Sequence, residues 1–187
     1  HKLDWSRIHL WWGDERFVPA GHADRNEGQA TAALIHRLPI PAENVHRMPA
    51  SGAGLSLDEA VDAYDDELAK FWPELPEFDI TFLGVGPDAH IASLFPGLEG
   101  IEVDDRAVIA VRNSPKPPAE RISLTLPAIN NSKNVWIVAS GDDKADAIYA
   151  AFTSENASEA PVSAVEGIEE TVFFTDEAAA APLIDED

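Results

Sequence analysis

Short apolar runs alternate with helical segments along almost the whole chain. The apolar runs are rich in β-branched and aromatic residues and end at glycines or polar turns, as buried strands do. They predict strands at residues 7–12, 43–48, 78–83, 107–111, 122–126, 135–139 and 172–175. Helical spacing predicts helices from residue 26 to 38, from 56 to 72, from near 127, and from 142 to 152. This alternation indicates an α/β fold with an open, mainly parallel twisted sheet and helices on both faces, in which 78–83 is a central strand.

The composition is that of an ordinary globular protein. The 187 residues are 45% hydrophobic and 25% charged, which excludes a disordered or fibrous chain, and one domain over residues 1–187 is expected. There is no cysteine, so disulfide frameworks and cysteine nucleophiles are excluded, and a cytoplasmic location is expected. No apolar run approaches membrane-spanning length, and the first residues do not resemble a signal peptide.

The charge of the chain is strongly negative. Lys and Arg total 13 against 34 Asp and Glu, giving a formal net charge of -21. Such a surface repels nucleic acid phosphates and anionic lipid, so we expect neither nucleic acid nor membrane as a partner. A site for an anionic substrate must therefore gather the few cations locally.

Polar side chains follow three of the predicted strands. Asp14 and Arg16 follow the first, Asp88 and His90 follow the strand at 78–83, and Lys116 follows the strand that ends at 111. In open α/β sheets, ligands bind beyond the carboxyl ends of the strands. A histidine, carboxylates and cations at one edge would supply a base, an electrostatic stabiliser and a phosphate clamp, which hydrolysis of a phosphorylated substrate needs. The alternative for Asp14 and Arg16 is an exposed ion pair of little energetic value.

His90 is the strongest single candidate for a catalytic group. A neutral imidazole, with an ordinary pKa of about 6.5, is a competent base at physiological pH. Gly84 and Gly86 allow a sharp turn that would point Asp88 and His90 into the crevice. The alternative is a satisfied, partly buried histidine that caps a short helix at 91–95. No two histidines have metal-ligand spacing, so no metal site is expected.

Two other enzyme classes are disfavoured by the motifs. Gly84, Gly86 and Ala89 formally match a dinucleotide fingerprint, but Pro96-Gly97 would end a helix that starts there after about two turns, which is too short for a crossover helix. No G-x-S-x-G elbow is present, which argues against a serine hydrolase.

Several motifs together resemble the 6-phosphogluconolactonases of the pentose phosphate pathway, within the glucosamine-6-phosphate isomerase/deaminase superfamily. The resemblance covers nearly the whole chain, and its most specific part runs from Leu83 to Gly97. The supporting motifs are Trp12-Gly13-Asp14-Glu15-Arg16-Phe17-Val18-Pro19, Asp24-Arg25-Asn26, Lys116-Pro117-Pro118 and Arg121-Ile122-Ser123-Leu124-Thr125.

The resemblance implies a reaction and roles for the residues. The reaction is hydrolysis of 6-phospho-D-glucono-1,5-lactone to 6-phosphogluconate, without a metal or cofactor. His90 would activate water for attack on the lactone carbonyl, and either Asp14 or Asp88 would orient it. Arg16 would balance charge on the tetrahedral intermediate.

Substrate binding is implied for a second set of residues. Lys116 and Arg121 would hold the 6-phosphate, and the binding set also includes Gly84, Gly86 and Asn26. The expected partner is a small phosphorylated sugar lactone, and the chain is expected to be a monomer.

Two alternatives for the function remain. Deaminases of the superfamily carry Asp-Glu-Tyr where Arg16 stands, and Phe-Asn-Glu-Pro where this chain has Ser93-Leu94-Phe95-Pro96. The catalytic glutamate of a deaminase is therefore missing, although a deaminase-like sugar-phosphate enzyme is retained as the first alternative. The second is a non-catalytic sugar-phosphate-binding module.

The chain also departs from the pattern of the lactonases. Lactonases begin several dozen residues earlier, with a strand and a Gly/Ser/Thr-rich turn that binds phosphate, so we expect an amino-terminal strand and helix to be missing here. Arg25 replaces a usual Ser, and Ala89 replaces a usual Gly. A right-handed or extended backbone would tolerate that alanine.

Overall fold

A computed structural model describes residues 3–184 of the chain. Its strands are β1 (Leu10–Trp11), β2 (Asp14–Arg16), β3 (Val45–His46), β4 (Ile80–Gly84), β5 (Val108–Val111), β6 (Arg121–Leu124), β7 (Asn134–Ala139) and β8 (Glu170–Thr175). Its helices are α1 (Asn26–Ala33), α2 (Leu57–Ala69), α3 (Leu126–Asn130), α4 (Ala145–Thr153) and α5 (Glu177–Ile184). The predicted alternation of strands and helices is confirmed.

The strands form three small sheets. β4, β7 and β8 pair in parallel in that order, and β1 pairs with β3 in parallel. β2, β6 and β5 form an antiparallel trio in that order. The predicted, mainly parallel α/β fold is confirmed, because three of the five strand pairs within residues 3–184 are parallel; the exception is the antiparallel trio. It arises because the loop between β5 and β6 reverses the chain, so that neighbouring strands run in opposite directions.

The strand at 78–83 does not have the predicted central position within its described sheet. β7 is central instead, and β4 pairs only with β7 within residues 3–184. The low charge of this segment suggested burial on both faces, but Ile80 and Phe82 lie on an exposed face while Thr81 and Leu83 point inward. On the exposed face, Trp136 makes edge-to-face contacts with Phe82.

Helix α2 begins as the sequence predicts. Ser56 and Glu59 form a complete capping box, which satisfies backbone donors at the helix start. The apolar side of the helix packs against β5 and β6 and buries Val61, Tyr64 and Leu68. None of the helices in the described part of the chain is long and apolar enough to cross a membrane.

The buried Tyr64 hydroxyl joins α2 to the segment between β1 and β2. It accepts a hydrogen bond from the Trp12 backbone N–H at 2.9 Å and donates one to the Trp12 carbonyl at 3.1 Å. Trp12 lies between two short strands, so its backbone polar groups would otherwise be buried without partners. Tyr64 therefore fixes the chain just before Asp14.

We expect Tyr64→Phe to lower the free energy of unfolding by about 1–3 kcal/mol, because it removes the hydroxyl and leaves the Trp12 N–H and carbonyl buried and unpaired. Urea unfolding followed by tryptophan fluorescence measures this change. An unfolding midpoint equal to that of the parent protein would show that the Trp12 backbone finds other partners.

Candidate active site

The turn after β4 holds His90 in a tight loop and not in a helix. The Gly86 N–H donates to the His90 carbonyl at 2.9 Å, and Val85 forms an antiparallel bridge with Ile91. Ile91 in turn bridges to Leu94, so the short helix expected at 91–95 is absent from the described structure. Backbone pairing, and not helix capping, therefore sets the position of His90.

His90, Asp88 and Lys116 form one cluster. Asp88 Oδ1 lies 2.6 Å from His90 Nδ1 and 2.8 Å from Lys116 Nζ, and Nζ lies 3.2 Å from the same Nδ1. An ionised carboxylate can only accept hydrogen bonds, so Nδ1 carries the imidazole proton. Nε2 is then left with a free lone pair, as a base requires.

The surroundings shift the pKa values of this cluster. Burial lowers the pKa of His90 below 6.5, the hydrogen bond and charge of Asp88 oppose that effect, and the charge of Lys116 reinforces it. The charge of Asp14, like that of Asp88, opposes the lowering of the His90 pKa without reversing it. Burial disfavours ionisation of Asp88, yet hydrogen bonds from Lys116 and His90 bring the pKa of its carboxyl to about 2. At neutral pH the site therefore holds a neutral imidazole beside an ionised carboxylate.

Of the two glycines predicted for the site, Gly86 lies directly against the histidine. A Cβ on Gly86 would overlap the imidazole of His90 and the carboxylate of Asp88, whereas a Cβ on Gly84 would meet no atom within 4 Å. Gly84 ends β4 and pairs with β7. Ala89 has φ 65°, in the left-handed region, so it does not have the right-handed or extended backbone that would tolerate an alanine without strain.

Arg121 holds the loop that carries Lys116. Its Nη2 donates to the carbonyls of Lys116 and Pro117 at 3.0 and 3.1 Å, and its Nε donates to the Pro118 carbonyl at 3.2 Å. The Arg121 side chain is only 4% exposed, and its guanidinium lies 5.5 Å from the ring centre of Phe95. These contacts fix the backbone of the loop and leave the Lys116 ammonium on the side of His90.

Asp14 joins three segments of the chain. Its Oδ2 accepts a hydrogen bond of 2.6 Å from Ser93 Oγ, and its Oδ1 accepts one of 3.1 Å from Asn26 Nδ2. Arg121 Nη1 lies 3.9 Å from Oδ2. Asp14 forms no hydrogen bond with His90, so of the two aspartates left open by the sequence, Asp88 is the one that contacts the imidazole.

Arg16 reaches the cluster only through neighbours. Its Nη1 donates to Asn26 Oδ1 at 2.6 Å and to the Asp24 carbonyl at 2.9 Å. Within residues 3–184 it forms no hydrogen bond or ion pair with His90 or Lys116. Its Nε is buried without a hydrogen-bond partner in the described chain.

Asn26, predicted to bind substrate, has both ends of its amide engaged by the protein. Nδ2 donates to the carboxylate and the carbonyl of Asp14, and Oδ1 accepts from Arg16. The side chain therefore sets the relative positions of a carboxylate and a guanidinium.

Sequence reasoning missed three supporting residues. The Ser93 hydroxyl donates to Asp14 on β2 and so links the His90 turn to that strand, and the Ser93 N–H donates to Ser123 Oγ on β6. Glu15 is fully buried and accepts the N–H groups of Asn26 and Glu27 at the start of α1. Alternation along β2 could have identified Glu15, because its neighbours Asp14 and Arg16 face the opposite way.

The third missed residue is Arg25. It is buried, donates to the Met48 carbonyl at 2.7 Å and lies 3.7 Å from the Glu15 carboxylate. No sequence pattern indicated this role, because the Met48 carbonyl and the Glu15 carboxylate lie on other segments of the chain. No group of three or more His, Asp or Glu side chains in residues 3–184 is arranged to hold a metal ion.

Comparisons with known proteins agree on one family. Residues 1–174 match the family model described as glucosamine-6-phosphate isomerases/6-phosphogluconolactonase. The chain is 46% identical to a 6-phosphogluconolactonase of Streptomyces coelicolor and 45% identical to one of Mycobacterium leprae. Each match covers 97% of this chain, and 72% and 76% of the respective relatives. A solved 6-phosphogluconolactonase of Thermotoga maritima superposes with a TM-score of 0.82 at 30% identity, covering 94% of this chain and 75% of that one.

We expect Gly86→Ala to displace the imidazole of His90 from Asp88, because the new methyl group would occupy the space of both side chains. Histidine ring signals in an NMR pH titration report this displacement as a changed pKa of His90. The matched variant Gly84→Ala, whose methyl group has free space, should leave the titration unchanged. Equal titrations for both variants would contradict the contact.

Proposed function

The chain belongs to the family of glucosamine-6-phosphate isomerases and 6-phosphogluconolactonases, and we propose that it hydrolyses 6-phospho-D-glucono-1,5-lactone to 6-phosphogluconate. The observation that carries this proposal is the His90–Asp88 pair beside the Lys116 ammonium, in a chain 46% identical to a lactonase. The pair supplies a base, and the ammonium supplies a cation for the phosphate of the substrate.

His90 acts as the general base. Its Nε2 removes a proton from water, and the water oxygen bonds to the lactone carbonyl carbon to form a tetrahedral oxyanion. The oxyanion collapses, the bond from this carbon to the ring oxygen breaks, and the ring oxygen takes the proton from the imidazolium. Asp88 keeps Nδ1 protonated and stabilises the imidazolium in between.

Two cations stabilise the remaining charges. Arg16 balances the charge of the oxyanion, while Asn26 and the Asp24 carbonyl hold its guanidinium. Lys116 binds the 6-phosphate, and Arg121 supports it by fixing the loop backbone. Asp14 contacts Ser93, Asn26 and Arg121, and these contacts keep the groups of the site in their relative positions.

The main alternative is a deaminase of the same superfamily. This chain has Ser93-Leu94-Phe95-Pro96 where the deaminase pattern has Phe-Asn-Glu-Pro, and the hydroxyl of Ser93 is buried against Asp14. The segment therefore offers no second acid for the proton transfers of an isomerisation. Release of ammonium from glucosamine 6-phosphate would support the deaminase, and binding of the lactone without turnover would support a non-catalytic module.

The setting of the reaction follows from composition and charge. A chain without cysteine is compatible with the reducing cytoplasm, and a net charge of -21 disfavours nucleic acid as a partner. The enzyme acts there as a monomer on a small phosphorylated lactone. Size-exclusion chromatography with light scattering tests the monomer.

We expect His90→Ala to lower kcat for fresh lactone by about 10²–10⁴-fold with a much smaller change in KM, because it removes the base and leaves the binding groups. A dehydrogenase-coupled assay corrected for spontaneous hydrolysis measures both constants. The matched variant His36→Ala removes an exposed histidine and should keep the parent rate. Parent-like turnover in His90→Ala would exclude His90 as the base.

The rate should fall as pH drops, because protonated imidazole cannot take a proton from water. Since the pKa of His90 lies below 6.5 in the free protein, the midpoint in kcat/KM should also lie below 6.5. The measurement is a pH series with the spontaneous rate subtracted at each point. A midpoint well above 6.5 would assign the titrating base to another group.

A further inference from the structure

One carboxylate oxygen is shared between the base and the cation. Asp88 Oδ1 accepts hydrogen bonds from both His90 Nδ1 and Lys116 Nζ. Because Nδ1 carries a proton, the 3.2 Å separation between Nζ and Nδ1 brings an ammonium against the N–H edge of the imidazole. Both are positive at their facing atoms, so the contact is electrostatically unfavourable and depends on the oxygen between them.

In this arrangement Lys116 weakens the base. Its charge opposes protonation of the imidazole directly, and its hydrogen bond withdraws part of the negative charge that Asp88 offers to Nδ1. The charged groups that act on His90 come from three elements: Asp88 from its own turn, Lys116 from the β5–β6 loop and Asp14 from β2. Lys116 is the cation among them.

The Lys116 side chain is free to leave this position while its backbone stays. Its side chain is 39% exposed and Asp88 is 36% exposed, so water can replace their ion pair at little cost in free energy. The backbone is held by Arg121 at the carbonyl and by Ser114 at the N–H. A phosphate dianion carries more charge and more acceptor oxygens than one carboxylate, and it would compete for the ammonium.

We propose that Lys116 couples recognition of the substrate phosphate to the strength of the catalytic base. In the free protein the ammonium is bound to Asp88. When a phosphate group occupies the site, the ammonium turns to it, and Asp88 Oδ1 is left to His90 alone. The imidazole then becomes a stronger base only when a phosphorylated ligand is present.

This coupling makes Lys116 a determinant of specificity in kcat as well as in KM. It rests on the proposed function for the identity of the substrate, while the response of His90 to phosphate does not require turnover. An unphosphorylated lactone would meet the weaker base even at saturation. If Lys116 only bound phosphate, its replacement would change KM and leave the titration of His90 in the ligand-free protein unaltered.

The first experiment is an NMR pH titration of His90 in the intact protein, alone and saturated with inorganic phosphate or 6-phosphogluconate. We expect either ligand to raise the pKa of His90 by about 0.5–1 pH unit, the size of the effect of one unit charge a few Å away in partly hydrated surroundings. In Lys116→Met the pKa should already be raised without ligand. Lys133→Met is the matched control, because Lys133 is a 38% exposed lysine paired with Asp79.

The second experiment separates the coupling from simple binding. In the parent protein, the pH midpoint of kcat should be lower for glucono-1,5-lactone than for the phosphorylated lactone. Lys116→Met should move the midpoint for glucono-1,5-lactone upward, and Lys133→Met should not.

Three results would overturn the proposal. They are an unchanged pKa of His90 at saturating phosphate and 6-phosphogluconate, no binding of either ligand, and a parent-like pKa of His90 in Lys116→Met. Failure of the proposed function would be recognised separately, as equal lactone hydrolysis by the parent protein and His90→Ala.

Discussion

The carboxylate of Asp14 holds the site together. One oxygen accepts a hydrogen bond from the hydroxyl of Ser93 and the other accepts one from the amide of Asn26, while the guanidinium of Arg121 on β6 lies nearby. These partners belong to the His90 turn, to α1 and to the strand that follows the Lys116 loop. Because a single group orients all three, a shift of Asp14 would change the distances between base, guanidinium and ammonium together.

The distribution of charge explains how an acidic chain can bind an anion. The net charge of -21 repels phosphate at long range, but this field is screened over about 10 Å at moderate salt. Within that distance the site brings together Arg16, Lys116 and Arg121. Lys116 pairs with the partly exposed Asp88, Arg121 lies near Asp14, and Arg16 is held by the Asn26 amide and the Asp24 carbonyl. The cations are thus held in place without being neutralised completely.

The sequence predicted most of the strands and helices because their signals are local, but it predicted neither β2 nor α5. Capping by Ser56, the β-rich run of β4 and the proline after α2 each act within a few residues. The prediction was wrong for Phe82, because an apolar run of low charge does not distinguish a strand buried on one face from a strand buried on both. It was also wrong at residues 91–95, where two β-bridges take the place of a helical turn. The sequence left the backbone conformation of Ala89 open, because the left-handed backbone there is imposed by the closure of the turn and not by the alanine itself.

The sequence by itself placed Asp88 two positions before His90 and put at position 86 a glycine that leaves the space the ring needs, although it left Asp14 open as the partner of the imidazole. Only the tertiary structure decided which distant groups join them. Ser93 meets Asp14 across 79 residues, and Lys116 meets Asp88 across 28. Such contacts depend on how β2, β6 and their loops pack, which no local pattern encodes. For the same reason Arg16 is connected to the cluster, in the described part of the chain, only through Asn26, Asp14 and Arg121, although its motif placed it beside the base.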